Sequence, residues 1–96
     1  MNFIIKSDTL FTCDQYGNTL RRIAEKVNIA NFSEKENNFL VTFLDGSVFL
    51  TDSYGNKVRR ICDSAIEARF QDGNILVRTK SENVLRDKYG NIIKRL

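Results

Sequence analysis

The chain of 96 residues contains no histidine, no tryptophan and no proline, and only two cysteines. Without histidine it can form no Ser-His or Cys-His nucleophile pair and no His-containing zinc site. Cys13 and Cys62 are too few for a disulfide framework or a cysteine-rich metal centre. Both sit among apolar neighbours, Phe11-Thr12-Cys13 and Ile61-Cys62, and read as small buried hydrophobes in a reducing, cytoplasmic setting. The stretch Met1 to Lys6 has no basic segment and an apolar run of only three residues, so neither a signal peptide nor a membrane span is expected. No glycine-rich phosphate loop leads into a helix, and the acids Glu25, Glu34, Glu36, Glu67 and Glu82 recur at no equivalent position. The expectation is a protein that is not an enzyme and uses no cofactor or metal.

With 42% hydrophobic and 28% charged residues, the composition is that of one folded soluble domain spanning residues 1–96. The net charge of +3 is unevenly spread. Residues 1–64 carry eight basic and eight acidic side chains, whereas residues 65–96 carry seven and four. A dedicated duplex-DNA binder usually presents a stronger basic field than this.

The strongest signal is an internal repeat. Asp14-Gln15-Tyr16-Gly17-Asn18-Thr19-Leu20-Arg21-Arg22-Ile23 recurs from Asp52 to Ile61 and from Asp87 to Leu96. The shared pattern is Asp-x-Tyr-Gly-Asn-x-aliphatic-basic-Arg-aliphatic, which chance does not produce three times in so short a chain. Upstream, Asn38 to Thr42 aligns with Asn74 to Arg78 and with Asn2 to Lys6, and Ala30-Asn31-Phe32 aligns with Ala68-Arg69-Phe70. The repeats cover approximately residues 1–26, which lacks the first segment, 27–64 and 65–96.

Each repeat reads as short strands separated by turn signals. In the second, strands are expected over Val27–Phe32, Phe39–Phe43, Val48–Thr51 and Lys57–Cys62, with turns at Asp45-Gly46 and Tyr54-Gly55-Asn56. No segment sustains a helical period, so the fold class is all-β, with about eleven short antiparallel strands. The expected core comprises Ile4, Leu20, Ile23, Ala30, Phe32, Leu40, Phe43 and Leu50, followed by Val58, Ile61, Ala68, Phe70, Leu76, Leu85 and Ile93.

The repeated motif has a structural and a functional reading. Asp14, Asp52 and Asp87 suit turns by accepting backbone N–H groups, Gly17, Gly55 and Gly90 supply a left-handed position, and Asn18, Asn56 and Asn91 tolerate one. Tyr16, Tyr54 and Tyr89 can pack a ring across the hairpin or face a ligand. In the basic pairs Arg21-Arg22, Arg59-Arg60 and Lys94-Arg95, the two residues point to opposite faces of a strand. Arg22, Arg60 and Arg95 are the candidates either for pairing with the repeated aspartates or for contacting an anion.

The run from Val27 to Ser33, then Asn38 to Thr42, then Asp45-Gly46-Ser47-Val48-Phe49-Leu50-Thr51-Asp52 resembles a β-propeller blade of the WD40 type. Asp52 and Asp87 hold the place of that family's Asp, while Thr51 and Arg86 stand where it has Trp, and its Gly-His pair is missing. The resemblance implies four-stranded propeller-like blades, and a propeller needs at least four of them to close. Two chains would supply close to six, so a homo-oligomer is expected, a dimer with two-fold symmetry. A single closed three-fold β unit is the alternative architecture. The expected role is a non-catalytic module that self-associates and binds a protein partner, with nucleotide or nucleic-acid binding through the repeated arginines and tyrosines as the alternative.

Overall fold

Runs of β-branched and aromatic residues, cut by Asp, Gly and Asn, divide the chain into eleven strands and no helix. The computed structural model describes residues 1–96. The strands are β1 (Asn2–Lys6), β2 (Thr9–Cys13), β3 (Thr19–Ala24), β4 (Val27–Ser33), β5 (Asn38–Phe43), β6 (Val48–Asp52), β7 (Lys57–Cys62), β8 (Glu67–Gln71), β9 (Asn74–Arg78), β10 (Asn83–Arg86) and β11 (Ile92–Arg95). They form three antiparallel meanders in chain order: a first sheet of β1-β2-β3, a middle sheet of β4 to β7 and a third sheet of β8 to β11. Two of the hairpins are two-residue turns in which both residues have positive φ, Ser7-Asp8 and Asp72-Gly73. Such turns match the twist of the strands that they join.

The sheets stack face on face, β4 against β2 on one side and β8 across β4 and β5 on the other. A strand's side chains alternate between faces, so β5 sends Phe39 and Val41 toward the first sheet and Leu40 toward the third. Phe39, Leu40, Val41 and Thr42 are all fully buried, because the middle sheet is covered on both faces. Leu10 and Ile23 of the first sheet meet Val27, Phe39 and Val41, with Phe3 and Phe32 packed on them. Phe3 meets Phe39 edge-on at 5.4 Å between ring centroids, and Phe32 lies 4.8 Å from Phe39. On the other side, Leu40, Val48, Leu50 and Ile61 meet Ala65, Ala68, Ile75 and Val77. The Asn31 side-chain amide donates to the Ala68 carbonyl at 2.8 Å, a polar tie across this second interface.

Several expected core positions fall elsewhere. Leu20, Val58 and Ile93 are exposed, because each is the extra residue of a β-bulge, skipped where β3, β7 and β11 pair with β2, β6 and β10. Leu76 and Leu85 face each other across β9 and β10, on the face of the third sheet turned away from the middle sheet, and are half-buried. The buried positions of that sheet are Ile75, Val77 and Val84.

Ile4 is half-buried and outward for a different reason. By sequence similarity it aligns with Leu40, yet Phe3 pairs with Thr12, two residues before Asp14, as Leu40 pairs with Leu50, two before Asp52. Phe3 therefore holds the place of Leu40, and Ile4 that of Val41. The β1–β2 turn has two residues where Leu44 to Ser47 join β5 to β6, and a one-residue slip in register moves every side chain to the other face.

These placements give opposite expectations for two apolar truncations. Phe39→Ala should cost about 3–5 kcal/mol, whereas Val58→Ala should stay within about 0.5 kcal/mol. Urea unfolding followed by circular dichroism measures both, and equal losses would contradict the stacking of the sheets.

Candidate functional site

The three Asp-x-Tyr-Gly-Asn turns join β2 to β3, β6 to β7 and β10 to β11. In each, one carboxylate oxygen of the Asp accepts two backbone N–H groups at 2.9 Å, from Tyr16 and Asn18, Tyr54 and Asn56, or Tyr89 and Asn91. The other oxygen accepts the side-chain amide of the Asn at 3.2, 3.0 and 3.3 Å respectively. The backbone closes the loop, the Asp N–H donating to the Asn carbonyl and the Gly N–H to the Asp carbonyl. Gly17, Gly55 and Gly90 have φ of 85°, 95° and 88°.

These bonds act on the charged form and hold all three carboxyls below their ordinary value. For Asp14 the backbone N–H of Asn18 is the largest influence, and for Asp52 it is the side-chain amide of Asn56. For Asp87 desolvation is the largest single influence and pushes upward, but the hydrogen bonds from Asn91 and Tyr89 and the nearby Arg59 outweigh it. The repeated aspartates thus hold their own turns, and the candidate arginines find other acids. Arg22 pairs with Glu25 at 3.0 Å, Arg60 with Asp63 and Arg95 with Glu82. All three pairs are solvent-exposed, which makes each worth at most about 1 kcal/mol.

The first members of the first two basic pairs have a different job. Register places Arg21 on the Thr12 face of the first sheet and Arg59 on the Leu50 face of the middle sheet, each turned toward the sheet that follows. The Arg21 guanidinium lies 5.0 Å from the ring centre of Tyr54, and that of Arg59 lies 5.1 Å from Tyr89. The turns also touch the preceding sheet through glycine. A Cβ at Gly55 would come within 2.8 Å of the Ile23 carbonyl oxygen, and one at Gly90 within 3.0 Å of that of Ile61. The tyrosines nonetheless keep broad exposure: 80% for Tyr16, 65% for Tyr54 and 54% for Tyr89.

Beside Tyr89 the middle and third sheets leave a groove of about 510 Å³. Lys35, Arg59 and Lys88 line it together with Glu36 and Asp72, over apolar ground from Leu50, Val58, Phe70 and Ile75. The Lys88 ammonium also lies 5.5 Å from the Tyr89 ring centre. Arg22, Arg60 and Arg95 do not line this groove. Sequence reasoning that singled out those three passed over Arg59, and the signal that finds it is strand register: of two adjacent basic residues, the one opposite Leu50 faces the next sheet. Chemically the groove suits a small anion with a flat or apolar part. The half-buried Cys62 thiol is pushed up by burial, with Arg86 and Arg60 opposing, so it stays protonated and a poor nucleophile.

Comparison with known proteins found no matching family model and no matching curated protein.

The glycine contacts rank three substitutions. Gly17→Ala meets no neighbour and should cost about 1 kcal/mol for the positive φ alone. Gly55→Ala and Gly90→Ala must in addition push back a backbone carbonyl, so both should lose more, as differences in urea midpoint would show. The lowered carboxyls set a pH dependence too. Because their folded pKa lies below the ordinary value near 4, their contribution is full above that value and lost as pH falls through the folded one. Amide resonances of Tyr16, Tyr54 and Tyr89 should therefore hold steady from neutral pH down to about 4 and shift only below it.

Proposed function

We propose that the three sheets are propeller-like blades of WD40-type pattern, and that the chain is a non-catalytic interaction module that self-associates and binds a protein partner. The observation that carries this reading is the row of three identical, internally bonded turns, each presenting a tyrosine more than half exposed. Tyrosine and arginine on a rigid support are the residue types that concentrate binding energy at protein interfaces. A turn already fixed by its own carboxylate loses little conformational entropy on docking. No helix in the chain is long and apolar enough to cross a membrane. We place the module in the cytoplasm, where Cys13 and Cys62, both free, persist as thiols.

The test is comparative capture from the native host. Wild-type protein should retain a partner that the triple variant Tyr16→Ser, Tyr54→Ser, Tyr89→Ser loses while its circular dichroism is unchanged. Identical partner profiles from the two proteins would defeat the reading.

A second reading is favoured by the groove at Tyr89, where Arg59 and Lys88 lie near the ring and Lys35 lines the same groove. It takes the ligand to be a nucleotide or single-stranded nucleic acid, with phosphate on Arg59 and Lys88 and a base on the ring. Fluorescence anisotropy with a labelled single-stranded oligonucleotide should then show affinity falling steeply between about 50 and 200 mM salt. Arg59→Gln should weaken binding, and salt-insensitive or absent binding would exclude this ligand class.

A further inference from the structure

Within the chain each sheet receives the next one through the same set of contacts. A turn glycine sits against the carbonyl of the last aliphatic residue of the repeat before it, Gly55 on Ile23 and Gly90 on Ile61. A cation of the earlier sheet lies over the turn tyrosine of the later one, Arg21 over Tyr54 and Arg59 over Tyr89. The contacting aliphatic is thereby covered, leaving Ile23 only 6% and Ile61 only 4% exposed.

The two ends of the stack each carry one unmatched half of this set. On the first sheet nothing approaches the Cβ position of Gly17, and no cation lies over Tyr16. Its outward face offers Ile4 paired with Phe11, beside Cys13, all half-buried. On the third sheet Lys94 pairs with Leu85 as Arg59 pairs with Leu50, and so points outward. Leu96, in the place of Ile23 and Ile61, is 60% exposed, and Leu76 lies opposite Leu85 on the same outward face.

We propose that a second copy of this chain docks the outward face of its first sheet on the outward face of the third sheet. Lys94 then covers Tyr16 of the second copy, Gly17 of that copy seats on the Leu96 backbone, and Ile4 and Phe11 meet Leu76 and Leu85. The inference rests on the self-association in the proposed function and specifies its geometry: it extends the interface that the chain already makes twice within itself. The two faces differ, so the contact is head-to-tail, and two copies satisfy both ends by closing into a two-fold ring of six sheets. One internal contact is not reproduced. The N–H groups of Val27 and Ala65, at the start of the middle and third repeats, donate to the carbonyls of Asp8 and Gly46, and the first repeat has no such segment.

Light scattering on a sizing column tests this, together with two variants that each block one face. Wild type should run at twice the 11.1 kDa chain mass. The variant Leu76→Arg/Leu85→Arg and the variant Phe11→Arg should each be monomeric. Mixed in equal amounts they should form one 1:1 dimer, because each retains the face that the other has lost. A wild type that stays monomeric to about 100 μM would show the terminal sheets to be caps and overturn the proposal. It falls equally if either variant alone still dimerises, since that would mean an interface of one face with itself, or if the mixture fails to assemble. Where circular dichroism shows Phe11→Arg unfolded, Lys94→Glu replaces the pair: it should weaken dimerisation several-fold, and an unchanged dimer overturns the proposal. A monomer that still retains its captured partner refutes this interface and the self-association, while the partner-binding part of the proposed function stands; a dimer that survives either variant refutes this interface alone.

Discussion

A β-sheet that is apolar on both faces cannot cover itself, and the middle sheet here has that character. Only the middle one has both faces satisfied, which is why four consecutive residues of β5 are fully buried. Strands in antiparallel sheets more often alternate between core and solvent. The continuous run Phe39-Leu40-Val41-Thr42 is therefore a mark of sandwiching rather than of a strand at a surface. Burial this complete also explains two polar atoms without partners, the hydroxyls of Thr42 and Thr51. Each forgoes a hydrogen bond, which ordinarily costs about 1–3 kcal/mol. The packing around them, rather than their polarity, keeps them in place.

The turns couple local chemistry to this stacking. An aspartate that takes up two backbone N–H groups and a side-chain amide fixes a loop independently of the rest of the fold. That rigidity lets the glycine press against a carbonyl of the neighbouring sheet and lets the tyrosine lie under a cation from it. Charge elsewhere does much less. The ion pairs Arg22–Glu25, Arg60–Asp63 and Arg95–Glu82 lie at strand ends and in turns open to solvent, where screening leaves them little net energy. In the first two basic pairs, then, Arg21 and Arg59 reach the turn tyrosine of the following sheet, while Arg22 and Arg60 pair with exposed acids.

Much of the architecture was legible in the sequence because the repeat names its own turns. Once Asp-x-Tyr-Gly-Asn marks a hairpin, the strands on either side follow from alternation, and the eleven strands and all-β class are what the structure contains. Faces were harder to read, for a reason that Leu76 illustrates. It is equivalent to the fully buried Leu40 and just as apolar, yet it is only half-buried because no fourth sheet lies beyond it within the chain. Sequence reports what a residue could bury against, whereas burial depends on what is present. Ile4 shows the second limit, since its apparent equivalence to Leu40 dissolves once a two-residue turn resets the register. Arg59 shows the third: its neighbour Arg60 is chemically identical, and only the pairing with Leu50 tells which of the two faces Tyr89.

The terminal faces also differ from the internal ones in a way that bears on how strongly they could associate. Glu67 and Arg78, paired at 3.0 Å, lie on the outward face of the third sheet, where the middle sheet has Ile29 and Thr42. Their ion pair would sit beside the apolar pair Leu76 and Leu85, and Lys94 beyond. An apolar centre with a charged rim is the composition of interfaces that form between separately folded partners, rather than of a core. Full burial of such charges would cost several kcal/mol each, so the sequence tolerates a rim that stays wet and disfavours complete closure over that edge. The internal joints, lined by Leu, Ile, Val, Ala and Phe, can be permanent; the proposed joint between the ends would have to be weaker, drawing its strength from the few positions where the internal pattern is kept.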